Sequence, residues 1–163
     1  MDVYIRRKAL VPSLCDDVLI NAYNDTSTSS CELRSSEIRW LRNESVWEDL
    51  LYMLQESITQ VGCEIFNELN LQLITPVELK SENALDCWNR RDLNKSYGRL
   101  GFTIYLNEPS TYKGGDLSFV SPKSKIETDQ KEKGTLVIFR SSLFYNFSSV
   151  TQGCKHYILG WFL

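Results

Sequence analysis

Between Gly101 and Leu163 the chain is a succession of short apolar runs: Gly101-Phe-Thr-Ile-Tyr-Leu106, Tyr112-Lys-Gly-Gly-Asp-Leu117, Gly134-Thr-Leu-Val-Ile-Phe139 and Val150-Thr-Gln-Gly153. Each run is rich in β-branched or aromatic side chains and is bounded by Gly, Pro, Asn or Ser, which is the signature of strands separated by turns. No helical period lies between them, so they do not build parallel βαβ units. A sandwich or jelly roll follows instead.

The first half of the chain reads as support for those strands. Residues 3 to 10 predict an opening strand. Ser13-Leu-Cys-Asp16 offers an N-cap with an acidic third residue, starting a helix that carries Val18, Leu19 and Tyr23. Asn24 to Ser30 is a polar loop. A longer helix is marked by a Ser45/Glu48 capping box, and Trp47, Leu50, Leu51, Leu54, Ile58, Val61 and Ile65 recur at three- and four-residue steps. They form one apolar stripe that packs against a sheet. Gln72 to Glu78 reads as a strand with Pro76 at an edge or bulge, and the charged stretch from Ser121 to Lys133 as a surface loop.

At 163 residues and 42% hydrophobic content the chain fits one domain with a real core. A net charge of −3 argues against a nucleic-acid partner, since phosphate neutralisation needs a basic surface. No apolar stretch is long enough to cross a bilayer and the N-terminus lacks an apolar signal core, so a soluble, cytoplasmic protein without membrane partners is expected. The five cysteines (Cys15, Cys31, Cys63, Cys87, Cys154) are odd in number and scattered, as in a reduced intracellular chain.

The strand pieces, in order, resemble the C-terminal half of the iron and 2-oxoglutarate dependent oxygenases, in particular the prolyl-4-hydroxylase-like group. The matching residues are Tyr105-Leu106-Asn107, Tyr112 to Leu117, Gly134 to Phe139, Ser141 to Tyr145, Val150 to Lys155, and the closing Gly160-Trp161-Phe162. Upstream, Arg34-Ser-Ser-Glu-Ile-Arg-Trp40 resembles an early strand of the same group. The resemblance covers about residues 12 to 163. It implies a mainly β fold with supporting helices: a double-stranded β-helix (jelly-roll) core over about residues 81–163, with N-terminal helices in the support region 1–80 packed on one sheet.

Such enzymes hold Fe(II) with two His and one carboxylate, leaving positions open for co-substrate and oxygen. This chain has one histidine, His156. It follows the residue matching the co-substrate-binding cation, so it corresponds to neither ligand. Two registers place the first ligand motif on Arg90-Arg91-Asp92 or, aligning Trp88, on Asn89-Arg90-Arg91. Tyr145 stands where the distal His belongs. Arginine offers a metal no lone pair, and a neutral phenol is a poor ligand for Fe(II).

With Arg90, Asp92 and Tyr145 on the ligand positions, the expectation is no bound metal, no cofactor and no catalytic residues. Lys155 matches the residue that pairs with the distal carboxylate of 2-oxoglutarate, and a lysine there can still neutralise an organic acid as a point charge. Tyr105, on a neighbouring strand, is the candidate second hydrogen-bond donor in that pocket. Since consecutive strand residues face opposite sides, an inward Lys155 sets His156 outward, as a surface or interface residue.

Three functions are open. The first is a catalytically degenerate oxygenase-like protein that survives as a protein-binding or assembly module, working through loops such as Asn24 to Ser30 and Ser121 to Lys133. The second is an active hydroxylase using Fe(II) and 2-oxoglutarate at an atypical site. The third is a metal-free sensor of organic acids using Lys155.

Overall fold

The computed structural model describes residues 1–24, 30–33, 36–42, 46–83, 98–121, 124–128 and 131–163. Within them the order is β1 (Val3–Arg6), α1 (Pro12–Asn24), β2 (Ser30–Leu33), β3 (Ser36–Leu41), α2 (Glu48–Phe66), β4 (Val77–Asn83) and β5 (Leu100–Tyr105). A 3₁₀ turn (Pro109–Thr111) then leads to β6 (Tyr112–Gly114), β7 (Leu117–Ser121), β8 (Ser124–Glu127), β9 (Leu136–Arg140), β10 (Phe144–Phe147) and β11 (Val150–Phe162).

The strands form two antiparallel sheets. The larger runs β1-β9-β5-β11-β4-β3-β2, with β6 pairing the start of β11; the smaller is β10-β7-β8. β11 is the axis of the larger sheet. Its 13 residues pair with β6 at the outset, then with β4 on one side and β5 on the other, so that Tyr157 lies opposite both Lys80 and Tyr105.

Alternation along the central strands sorts the core into two layers. Phe102, Ile104, Leu136, Ile138, Ile158 and Phe162 belong to the cluster that includes the buried residues of both helices. The residues of opposite parity, Tyr105, Val137, Phe139, Tyr157 and Leu159, join Leu117, Phe119, Tyr145 and Phe147 of the smaller sheet. The result is helices, large sheet and small sheet in three layers: a jelly roll with its helices on one face.

The helices form for local reasons and end where those reasons fail. In α1, Cys15, Val18 and Ala22 are buried at three- and four-residue steps. Pro12 rather than Ser13 opens it, with its ring already fixing a helical φ, and the Val11 carbonyl accepts the Leu14 and Cys15 amides. In α2, Leu50, Leu51, Leu54, Ile58, Val61 and Phe66 are buried, and Asn67 closes the helix in the left-handed region at φ 55°. Trp47 occupies its N-cap without a side-chain cap bond. Glu48 and Asp49 in the first turn complement the helix dipole instead; Ser45 of the expected capping box lies outside the described residues.

Several expected boundaries are corrected. The opening strand stops at Arg6, four residues short of the predicted end. Ser30–Leu33 forms a hairpin with β3, a pairing that small polar residues did not advertise. The predicted strand from Gln72 begins at Val77, after a cis Thr75–Pro76 bond, and runs on to Asn83. The expected surface loop from Ser121 to Lys133 contains β8, which pairs with β7; its Ser-Lys-Ile-Glu sequence alternates too briefly to be told from a charged loop. Gly134 starts β9 from a turn at φ +84°, and a Cβ there would lie 2.0 Å from the Leu10 carbonyl oxygen. That oxygen can approach because position 134 has no side chain.

Candidate functional site

Lys155 and Tyr157 are successive inward residues of β11, and Glu82 lies opposite Lys155 in the ladder with β4. Both Lys155 and Tyr157 are fully buried. The Lys155 ammonium is boxed by three rings, with Nζ 4.0 Å from the centroid of Phe147, 4.3 Å from Tyr157 and 5.2 Å from Tyr105. Its hydrogen bond is a donation to the Gly115 carbonyl, 2.7 Å away. Gly115 sits at φ +65°, and a Cβ on it would come within 2.8 Å of the Lys155 side chain. The Gly-Gly turn therefore brings a backbone oxygen up to the cation where any other residue would displace it.

Among the described residues no carboxylate makes an ion pair with Lys155. The two that act on its charge are committed elsewhere: Glu82 accepts the Tyr157 hydroxyl at 2.7 Å, and Asp116 is paired with Lys131. Aromatic faces and one carbonyl stabilise a cation only partly. Burial accordingly pushes the Lys155 ammonium down from the usual lysine range to about 7, with Glu82 the largest opposing influence.

Two buried phenols border the same region. The hydroxyls of Tyr105 and Tyr112 have no hydrogen-bond partner among the described residues. Burial pushes Tyr112 up to about 12, with Asp116 adding to the rise, and raises Tyr105 further still. Thr128 is the side chain close enough to Tyr105 to oppose that rise; its hydroxyl donates to the Leu117 carbonyl at 2.9 Å and keeps lone pairs turned to no other donor among the described residues. Among the described residues Tyr112 is thus a neutral donor without an acceptor and Tyr105 has only the Thr128 hydroxyl within reach, beside a cation that no carboxylate pairs. What these groups can do together is hold a carboxylate.

Tyr145 is placed differently. It packs in the aromatic cluster between the sheets, with ring centroids 5.5 Å from Phe139, 6.0 Å from Phe147 and 5.9 Å from Trp161. Trp88, Asn89, Arg90, Arg91 and Asp92 lie outside the described residues. Among the described residues no three His, Cys, Asp or Glu side chains come together as a metal-binding group.

His156 faces the helix layer, opposite to Lys155 as alternation requires. It is half-buried, with Nδ1 2.8 Å from the Ser81 hydroxyl and 3.3 Å from that of Tyr23 in α1, so the ring is a docking point for that helix. Desolvation lowers its pKa. Asn107 ties the end of β5 to β11, accepting the His156 amide at 2.9 Å and donating to the Cys154 carbonyl at 2.8 Å.

Glu82, Tyr112, Gly115, Phe147 and Tyr157 escaped the sequence reading. Period two on β11 would have found Tyr157 from Lys155; the others depend on which strands pair, which local sequence does not state.

The geometry meets its counterpart in comparisons with known proteins. No protein-family model matches the chain. A PKHD-type hydroxylase of Prochlorococcus marinus is 32% identical over 62 residues, 38% of this chain and 28% of that protein. Another, from Rippkaea orientalis, is 29% identical over 62 residues. The match thus spans little more than a quarter of the length of the curated relatives.

Solved structures extend the likeness to the whole fold. A 2OG-Fe(II) oxygenase family oxidoreductase from Burkholderia pseudomallei superposes with TM-score 0.79 at 10% identity, over 99% of this chain and 84% of that one. A prolyl hydroxylase from Trichoplax adhaerens, solved with a hypoxia inducible factor peptide, gives 0.72 at 16% over 99% and 83%. The viral collagen prolyl hydroxylase of Paramecium Bursaria Chlorella virus-1, solved as its 2OG complex, gives 0.67 at 16% over 99% and 96%.

These findings overturn the expectation of no cofactor, because the proteins whose fold the chain shares are hydroxylases and oxygenases of the 2OG-Fe(II) family. Of that pair, the described residues fit the acid, at Lys155 and the phenols of Tyr105 and Tyr112. For the metal they supply, of the three matched positions, only the ring-packed Tyr145. The chain resembles the 2OG-Fe(II) oxygenases, prolyl hydroxylases among them, and carries their jelly-roll fold.

Proposed function

We propose that this protein binds an organic acid of the 2-oxoglutarate class, with one carboxylate on Lys155 and with Tyr105 and Tyr112 donating hydrogen bonds to it. The observation that carries this reading is the fully buried Lys155, caged by rings and lacking a carboxylate partner among the described residues. An uncompensated buried cation is costly, and an anion entering the cage relieves that cost. The viral prolyl hydroxylase of the same fold was solved as its 2OG complex. Calorimetric titration with 2-oxoglutarate tests the proposal: binding by the protein and its loss in Lys155→Met are expected. Equal affinity in the two would overturn it.

A second reading concerns turnover and is favoured by Tyr145. In the enzymes of this fold the bound metal supplies oxygen chemistry to the acid; here the matched position presents a phenol packed against Phe139, Phe147 and Trp161. A phenol there replaces the imidazole that suits Fe(II), and the proposal is that the acid is held without being consumed. Succinate release from 2-oxoglutarate, measured with Fe(II) and ascorbate under air, is expected to stay at background. Sustained release would establish turnover and leave the binding reading intact.

A further inference from the structure

We propose that the acid enters this site together with a proton, so that Lys155 is largely a neutral amine in the empty pocket above neutral pH and an ammonium in the complex. This rests on the reading that Lys155 receives the carboxylate, and it adds a regulation that a preformed ion pair would lack.

The geometry carries it. An ammonium that donates three hydrogen bonds in water makes one among the described residues, to Gly115, and is otherwise enclosed by Phe147, Tyr157 and Tyr105 with no exposed surface. The titratable groups around it come from every neighbouring element. On β11 itself is Tyr157, whose hydroxyl serves Glu82. From β4 come Glu82 and Lys80, the second opposing the charge and salt-bridged to Glu78 at 3.5 Å. β5 gives Tyr105, and β6 with its turn gives Tyr112 and Asp116. β10 contributes the uncharged ring of Phe147 and, beyond it, the phenol of Tyr145. Lys131, ahead of β9, also opposes the charge but is bound to Asp116. The carboxylates favouring an ammonium are thus matched by Lys131 and Lys80, and desolvation decides.

A carboxylate arriving beside Nζ changes that balance, because an opposite charge at contact favours the protonated form. No bond to carbon is made or broken. The amine lone pair takes one proton from solvent, and the acid enters as its anion. Linkage fixes the sign: where the empty pocket is neutral and the complex charged, each bound acid takes up as much as one proton and the apparent affinity falls as pH rises, by up to about tenfold per unit. Below the range in which the empty pocket loses its proton, neither effect remains.

The test uses the full chain and 2-oxoglutarate, titrated calorimetrically at pH 6, 7, 8 and 9 in pairs of buffers differing in ionisation enthalpy, with and without anaerobic Fe(II). Expected are uptake approaching one proton at pH 9, little at pH 6, and weakening by about tenfold per unit in the upper range. Lys155→Arg, whose guanidinium keeps its charge, is expected to bind with a flat profile and no uptake. Binding by the unsubstituted protein with no buffer-dependent heat at pH 9 would overturn the proton coupling and leave the binding reading standing. Absence of binding at pH 6 would overturn both. The unsubstituted protein alone decides the question if the arginine variant does not fold.

Discussion

Replacing Lys155 with methionine is expected to make the ligand-free protein more stable, and most so in mild acid. The depression of the ammonium from 10.5 to about 7 amounts to roughly 3.5 pH units. At ~1.4 kcal/mol per unit, holding the charged form in the cage costs ~5 kcal/mol relative to water. Methionine fills nearly the same volume against Phe147 and Tyr157 but leaves the Gly115 carbonyl without its donor, a loss of about 1–3 kcal/mol. The net expectation at pH 6 is a gain of about 2–4 kcal/mol, within the range known for replacing buried ions by apolar groups.

The pH dependence follows from the direction of the shift. Between about 7 and 10.5 the unfolded chain holds a proton on this lysine that the folded chain has released. The stability of the unsubstituted protein therefore rises with pH there, by up to ~1.4 kcal/mol per unit from this group. The methionine variant lacks that slope, so its advantage shrinks by about 2 kcal/mol between pH 7 and pH 9. Urea unfolding of both proteins at pH 6 and pH 9 measures this directly. A variant less stable than its parent at pH 6, or a difference that ignores pH, would refute the claim that the cation is held against its own solvation.

Other outcomes follow from single contacts. Ser81→Ala removes the hydroxyl between His156 and Tyr23 and is expected to lower stability by about 1–2 kcal/mol in the same unfolding assay. His156, lowered by burial, is expected to titrate below 6.5 by NMR; its contribution to stability is lost as pH falls through that region, where the unfolded imidazole takes the proton first. Gly134→Ala forces a side chain onto the Leu10 carbonyl at a left-handed φ and should cost more than about 2 kcal/mol, read as a lower urea midpoint. Arg140→Ala removes a 3.0 Å ion pair to Glu68 and a 2.9 Å bond to the Phe66 carbonyl at the end of α2; a loss of about 1–2 kcal/mol is expected, accompanied by faster amide exchange in the last turn of that helix.

The strands were legible where they are buried on both faces, because their apolar runs need no partner to be recognised: Leu100–Tyr105, Leu136–Arg140 and the end of β11 are of this kind. The α2 stripe was equally plain. Missed elements were the polar, edge-lying ones, β2 and β8, whose existence depends on a neighbour's open hydrogen bonds rather than on their own side chains. The site divided in the same way. Alternation predicts opposite directions for Lys155 and His156, and the structure places them so. Of the aromatic cage only Tyr105 was foreseen, through the family resemblance; Phe147 and Tyr157 were hidden, since the three rings come from strands joined only by register. The partners of half-buried His156 were hidden for a related reason: nothing near it in the chain announces Tyr23 or Ser81.

β11 comes after every strand it pairs with, and it is the middle of the large sheet. During synthesis β4 and β5 therefore wait with unfilled edges until β11 emerges. A polypeptide interrupted before Val150 would display two long unpaired borders, an invitation to intermolecular association. The strand that sets Lys155 among its three rings is thus also the clasp that keeps the nascent chain from sticking to its neighbours.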